Sequence, residues 1–366
     1  MKHYDKSNWK KVRLGDVSTM FSGGTPSVDN KSFYNNGNIP FIRSGEIAET
    51  KTELYITEEA LNNSSAKLVQ RGDLLLALYG ATSGKVAISN IKGAINQAIL
   101  CIRSQMFLPA FLYHFLTYNQ TYIISTFLQG GQGNLSAEII KGLYVDVPPA
   151  SEQSKISNIL SQIDSHIENI ERIISKQESI KKTTVNLLLT PKPDWTEYKI
   201  KEKFKVTRGL VLSTNQMSKS QNGVFQYPVY SSQTQNNGLI GFYNNFLYQD
   251  AITWTTDGAN AGFVRFRPGK FYCTNVCGVL LSDEGYANTC VATMLGNVSK
   301  KYVSYVGNPK LMNNVMAEIP LLFPSVQEQQ YISDKIQKLD QQLEHLQSEL
   351  DKYRNIKKGL MDYFFG

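Results

Sequence analysis

Two stretches of the chain carry the same apolar stripe. Ile156, Leu160, Ile163, Ile167, Ile170 and Ile174 recur at spacings of 4, 3, 4, 3, 4. Ile332, Ile336, Leu339, Leu343, Leu346 and Leu350 repeat that spacing 176 residues later. A two-residue stripe with this period predicts a long helix with a narrow seam. Residues 151–190 contain neither Gly nor Pro, and Ser151 and Ser325 sit near the starts as capping residues do. A helix of 35–40 residues runs roughly 50–60 Å, and a block of ~140 residues, with a radius of gyration near 14 Å, cannot bury that length. The simplest partner for each seam is the other, in an intramolecular coiled coil that keeps the remaining blocks apart. The competing expectation is that each helix packs on its own block. The intervening sequence predicts strands: Lys11–Thr19, the short Ile39-Pro40-Phe41-Ile42, and the fully apolar Leu74-Leu75-Leu76-Ala77-Leu78.

The stripe is one part of a duplication. At the same offset Pro148, Glu152, Gln153, Ile156, Ser157, Asp164, Glu168, Lys176, Ile180, Lys181 and Lys182 meet identical residues from Pro324 to Lys358. Upstream the match is fainter. Trp9 pairs with Trp195, Gly80-Ala81-x-x-Gly84-x-Val86 with Gly258-Ala259-x-x-Gly262-x-Val264, Asp73 with Asp250 and Asn96 with Asn275. The unit is a globular block followed by a helix, used twice. The organisation expected is 1–150 block one, 151–190 helix one, 191–325 block two and 326–366 helix two. The fold class expected is α/β, with two globular domains in tandem and their helices paired as an antiparallel coiled coil.

Charge separates blocks from helices. Block one has 14 Lys+Arg against 11 Asp+Glu, net +3, and block two has 13 against 8, net +5. The helices are neutral (5 against 5) and slightly acidic (6 against 7). Two basic blocks suit a polyanion, most commonly nucleic acid. No apolar run reaches the ~20 residues of a membrane helix. The polar start lacks an apolar leader, and four cysteines are few for a disulfide scaffold, so a cytoplasmic location is expected.

Candidate contacts lie in the loops. Phe21-Ser22-Gly23-Gly24-Thr25-Pro26-Ser27 reads as a turn with free amides and hydroxyls. Arg43, in Arg43-Ser44-Gly45-Glu46, suits a bidentate contact to guanine or a surface ion pair with Glu46 or Glu49. Tyr79-Gly80-Ala81-Thr82-Ser83-Gly84-Lys85-Val86 resembles a phosphate loop without being one. Three residues rather than four lie between its glycines, and Val86 stands where Ser or Thr is required. It reads as a polar β-loop near nucleic acid, or as a plain tight turn. Block two crowds Tyr, Asn, Gln, Ser, Thr and Arg into 207–209, 227–233, 255–260 and 265–267. The candidate DNA-binding set is Thr25, Ser27, Arg43, Ser44, Tyr79, Thr82, Lys85, Gln132, Asn134, Arg208, Tyr230, Ser232, Thr256, Asn260 and Arg265. Lys181-Lys182 and Lys357-Lys358 are read as phosphate contacts or a solvated face. No catalytic residue or metal site is expected. His3, His114, His166 and His345 are scattered, Cys273 and Cys277 stand alone, and no nucleophile or methyltransferase signature occurs. The metal-nuclease-like Pro193-Asp194 and Glu197-x-Lys199 are crowded into a connector and read as coincidence.

The chain resembles the specificity subunit of Type I restriction–modification enzymes. The residues that carry the likeness are Gly23-Gly24-Thr25-Pro26-Ser27, Asn38–Ile47, Gly72-Asp73-Leu74-Leu75, Gly80-Ala81-Thr82-x-Gly84 and Ile95-Asn96-Gln97-Ala98. The two Pro-x-x-x-Glu-Gln helix openings add to it. Copy two departs by having Thr207-Arg208-Gly209-Leu210 at the Gly-Gly-Thr-Pro position. The resemblance implies two target recognition domains, each reading half of a bipartite site in double-stranded DNA. It implies helices that set the spacer and dock two modification subunits, with restriction subunits added. It also implies that the chain is non-catalytic and binds no cofactor. S-adenosylmethionine for adenine-N6 methylation, with ATP and Mg for cleavage, would belong to partner subunits. The alternative reading is a non-catalytic coiled-coil scaffold.

Overall fold

The computed structural model describes residues 4–127, 134–232 and 235–366. It divides into two compact units whose limits are not the block boundaries. The first joins residues 1–171 to 349–366, and the second is 172–348. Each unit takes one block, the near part of the helix that follows it, and the far part of the other helix. The helices themselves are Ala150–Leu188 and Val326–Phe365. They pair as an antiparallel coiled coil.

In the first unit, Lys10–Arg13 pairs antiparallel with Tyr144–Val147 and brings the two ends of the block together. One four-stranded antiparallel sheet orders Ser18–Ser22, Ile99–Ser104, Leu74–Ala77 and Val86–Ile88. A second orders Leu54–Ile56, Ile39–Ile42, Gly93–Ile95 and Lys67–Val69, and within it Ile39–Ile42 and Gly93–Ile95 run parallel. The unbroken apolar run at Leu74–Ala77 follows from this layering. Leu75 and Ala77 face a core shared with Ile42, Val69 and Ile95. Leu74 and Leu76 face the opposite core, with Phe111, Leu116, Ile156 and Leu160. A strand covered on both faces has no polar alternation to show.

In the second unit, Thr196–Lys199 pairs with Pro320–Phe323 in the role of the first unit's end-to-end ribbon. The other strands form one six-stranded sheet in the order Lys205–Arg208, Cys277–Leu281, Tyr248–Thr255, Val264–Cys273, Tyr227–Tyr230, Leu239–Tyr243. Here too one pair is parallel, Tyr227–Tyr230 beside Val264–Cys273.

The residues repeated between the helices have matching structural uses. Trp9 Nε1 donates to Glu152 at 2.8 Å, and Trp195 Nε1 to Glu328 at 3.2 Å. Gln153 Nε2 donates to Pro148 O at 3.0 Å, and Gln329 Nε2 to Pro324 O at 2.9 Å. Gln153 Oε1 accepts from Leu108 N, and Gln329 Oε1 from Asn288 Nδ2, each at 2.8 Å. Both glutamines are buried, so a full set of partners is what makes them tolerable there. The Pro-x-x-x-Glu-Gln opening fastens each helix to its own block. Ser325 accepts from Glu328 N at 3.2 Å and caps the second helix. Ser151 does not occupy the equivalent place: the helices start at equivalent residues, Ala150 and Val326, and the residue before Ala150 is Pro149.

The seam has two regimes. Ile156 and Leu160 lie in a core formed jointly by the block and by Met361 and Phe364 of the second helix. Ile332 and Ile336 lie in the equivalent core of the other unit, with Val185 and Leu188 of the first helix and the next residue, Leu189, packed against it. Between these cores Ile163, Ile167, Ile174, Leu339, Leu343 and Leu346 are half-buried, while Ile170 and Leu350 are buried. Two helices alone cannot enclose a side chain as a third wall does. Coiled-coil pairing and packing on the block therefore both occur, at different heights along one stripe.

Candidate nucleic-acid interface

Four loops of the first block meet at one end of its sheets. Gly23 opens the first. A Cβ there would stand 1.8 Å from Ile95 O, so only glycine lets the backbones touch. Gly23 N donates to Asn96 O at 3.2 Å, and Thr25 Oγ1 donates to Gln97 Oε1 at 2.8 Å. The second loop follows Ile39–Ile42, whose Ile42 is in register with Ile95. The third is the hairpin turn at 80–84, with Gly80 and Gly84 at φ +85° and +80°. Gly84 N donates to Ala77 O at 2.8 Å, and Leu78 N to Ala98 O at 2.8 Å. The fourth is the turn at Asn96–Ala98 itself. Residue 134 joins them because Leu135 N donates to Leu78 O at 2.8 Å.

The second block builds the same end from the same four pieces. A Cβ on Gly209 would stand 2.2 Å from Cys273 O. Its amide donates to Cys277 O at 2.9 Å. The loop after Tyr227–Tyr230 is tied in by Thr274 N, which donates to Tyr230 O at 2.9 Å. Gly258 and Gly262 have φ of +89° and +81°, and Gly262 N donates to Thr255 O at 2.9 Å. The departure of copy two from Gly-Gly-Thr-Pro thus leaves the backbone contact in place, with Gly209 in the role of Gly23.

This twofold construction matches a known family profile. The profile of the Type I restriction modification DNA specificity domain aligns with residues 6–178 and again with residues 192–352. The chain belongs to this family. A Mycoplasma pneumoniae sequence assigned as the N-terminus of a type I specificity subunit is 43% identical over 140 residues, 37% of this chain and 73% of that one. The specificity subunit of the Escherichia coli Type I restriction enzymes EcoR124I and EcoR124II is 29% identical over 201 residues, 51% of this chain and 49% of that one. The fold is that of the crystal structure of the S subunit of a Type I restriction–modification system from M. genitalium. The TM-score is 0.73 over 98% of this chain and 96% of that one, at 18% identity.

Within the two specificity domains the candidate residues divide by what already holds them. Thr25, Ser27 and Asn134 are exposed, and Ser44, Tyr79, Thr82 and Lys85 half-exposed. Arg43 is not a free guanine reader. Its Nε meets Glu46 at 3.1 Å, its Nη2 meets Glu53, and these hydrogen bonds push its pKa up. The partner is Glu53 rather than Glu49, because the loop folds back on itself. Thr256 is not available either. It is buried, and its hydroxyl reaches Asp257 Oδ2 at 2.7 Å and Val276 O at 3.1 Å. Tyr230 lies under the guanidinium of Arg267, 3.9 Å from ring centre to Cζ. Asn260 Nδ2 donates to Ser232 O at 3.1 Å, so these two fasten one loop to another. Arg208 is exposed and donates to Asn275 O at 2.5 Å, while exposed Arg265 lies 4.7 Å over the Phe263 ring. Gln132 lies outside the described residues.

Lys181 and Lys357 are explained by the helices. Lys357 Nζ pairs with Asp164 at 2.5 Å, and Lys181 pairs with Asp340. Each lysine meets the aspartate that the other helix carries at the repeated position, so they are ion-pair partners, while Lys182 and Lys358 are exposed. Sequence reasoning passed over Gln97, Thr274 and Arg267. The first two hold loops rather than display chemistry, and Arg267 was visible only as half of an Arg-x-Arg pair.

Proposed function

We propose that this chain is the DNA-recognition subunit of a Type I restriction–modification complex. Each block reads one half of a bipartite site in double-stranded DNA. One observation carries the reading: a four-loop end is built twice on similar backbone contacts and bears different side chains. Arg43 and Ser44 follow the parallel strand in one block, Ser231 and Ser232 in the other. Equal frames with unequal faces suit two readers of unequal half-sites. The net charges of +3 and +5 suit the phosphate backbone.

The long helices set the spacer between half-sites, and their outer faces dock two modification subunits. Support for docking comes from Ile159, Ile173, Ile180 and Leu187 on the first helix. They stand seven or fourteen residues apart, outside the predicted seam, and are 42%, 48%, 43% and 72% exposed. An exposed apolar row suits a further helix. In this reading S-adenosylmethionine is bound, and adenine flipped out and methylated, on those partners. Restriction subunits supply ATP- and Mg-dependent cleavage, and the chain itself is non-catalytic and cytoplasmic. The buried cysteines fit that role. Burial pushes Cys101 and Cys290 up to about 12 and Cys277 to about 11, and raises Cys273 as well, which disfavours a thiolate at all four.

The test is DNA binding by the assembled complex as a function of salt. Affinity for DNA carrying the site should fall steeply and log-linearly with salt. Salt-independent association, or none from an assembled complex, would favour the scaffold.

A further inference from the structure

In both blocks the strand that pairs in parallel runs directly into a loop of the four-loop end: after Ile42 in the first and after Tyr230 in the second. The two loops are fastened by different means. In the first block Arg43 grips Glu46 and Glu53. In the second, Ser231 N donates to Gly238 O at 2.9 Å and closes the loop. Arg267 then holds it from beneath. Its Nη1 donates to Asn237 O at 2.6 Å and its Nε to Thr253 Oγ1 at 3.1 Å.

Arg267 is an unusual fastening. It is 6% exposed. Among the described residues no carboxylate forms an ion pair with it, and residues 1–3, 128–133 and 233–234 contain no Asp or Glu. Burial lowers its pKa. A cation removed from water without a counter-charge is costly. Here the loop carbonyl, a threonine hydroxyl and the face of Tyr230 are what offset the cost. Above it, Gln235, Asn236 and Asn237 are exposed. Asn236 and Asn237 are both left-handed, with φ of 50° and 53°, a conformation Asn tolerates better than other non-glycine residues. A carboxamide matches the adjacent donor and acceptor of adenine in the major groove.

Resting on the proposed function, we infer that the Gln235–Asn237 turn reads adenine-containing base pairs in the second block's half-site, with Arg267 as the positioning residue that holds the turn in place.

The experiment uses the full chain assembled with its modification subunits in a methylation-free host. It maps methylated adenines for the unaltered chain, Gln235→Ala, Asn236→Ala and Arg267→Gln. If the unaltered complex assembles and yields no bipartite motif, the recognition role itself fails. Given a motif, Asn236→Ala or Gln235→Ala should relax an A·T position in one half-site by about tenfold or more. The other half-site and the gap should not change. Arg267→Gln should relax the same half-site while the salt slope of binding stays unchanged, because a positioning residue touches no phosphate. Three results would overturn the inference: an unchanged motif in both turn variants, relaxation in both half-sites, or a salt slope reduced by about one in Arg267→Gln. If Arg267→Gln does not fold, the two exposed turn variants still decide the reading role.

Discussion

His114 shows how a single side chain can make the fold sensitive to acid. It is fully buried, with Nε2 3.2 Å from Ser161 Oγ. Asp164 stands 3.9 Å from Nδ1, beyond hydrogen-bond reach, and is held by Lys357 at 2.5 Å. Burial dominates and pulls the imidazole down to about 4. The folded chain therefore binds fewer protons than the unfolded chain between about 6.5 and 4. Stability should be full above that window and fall by up to about 3 kcal/mol across it. Urea unfolding at a series of pH values should show this, and His114→Leu should flatten that part of the profile. Gly23→Ala should destabilise the first unit by ~1–3 kcal/mol, because its methyl would enter the Ile95 carbonyl. Gly45→Ala, which meets nothing within 4 Å, is the matched control. Thermal melting separates the two. At this scale the sequence is least transparent. Gly23-Gly24 reads as a turn with free amides and hydroxyls, and at Gly23 it is also a backbone-to-backbone contact with Ile95. Arg43 reads either as a base reader or as an ion-pair partner of Glu46 or Glu49, and it is held by Glu46 and Glu53. The Ile95 contact and the Glu53 pairing come from partners that are distant or folded back, which spacing cannot show.

At the scale of elements, the helices were the most legible part, since heptad spacing and duplication both leave periodic marks. The stripe does not say which positions gain a third wall from a block. That depends on where the far end of the other helix arrives, as Met361 and Phe364 do beside Ile156. The symmetric pairs Asp164–Lys357 and Asp340–Lys181 fix the antiparallel register. Asp164→Lys alone should cost about 1 kcal/mol, and adding Lys357→Asp should restore most of it. Melting of the four-member cycle measures the coupling. The register also constrains the spacer test. Seven residues added at 173 and 347 together should keep the pairing and lengthen the unread gap in the methylated motif. An unchanged gap in an active complex would rule out the ruler.

For the whole molecule, the duplication was legible from eleven identities in and just before the helices and a few residues upstream. The division into units was not, because the first unit takes in a helix end, residues 349–366, from more than 170 residues beyond residue 171. Replacing residues 196–320 with the equivalent block of another specificity subunit should change one half-site and leave the other intact. The most direct measurement is a genome-wide map of methylated adenines in a methylation-free host that co-expresses this chain with its modification subunit. Two short half-sites separated by a fixed gap are the predicted result. An assembled complex that methylates nothing, or that methylates a continuous motif, would contradict the account.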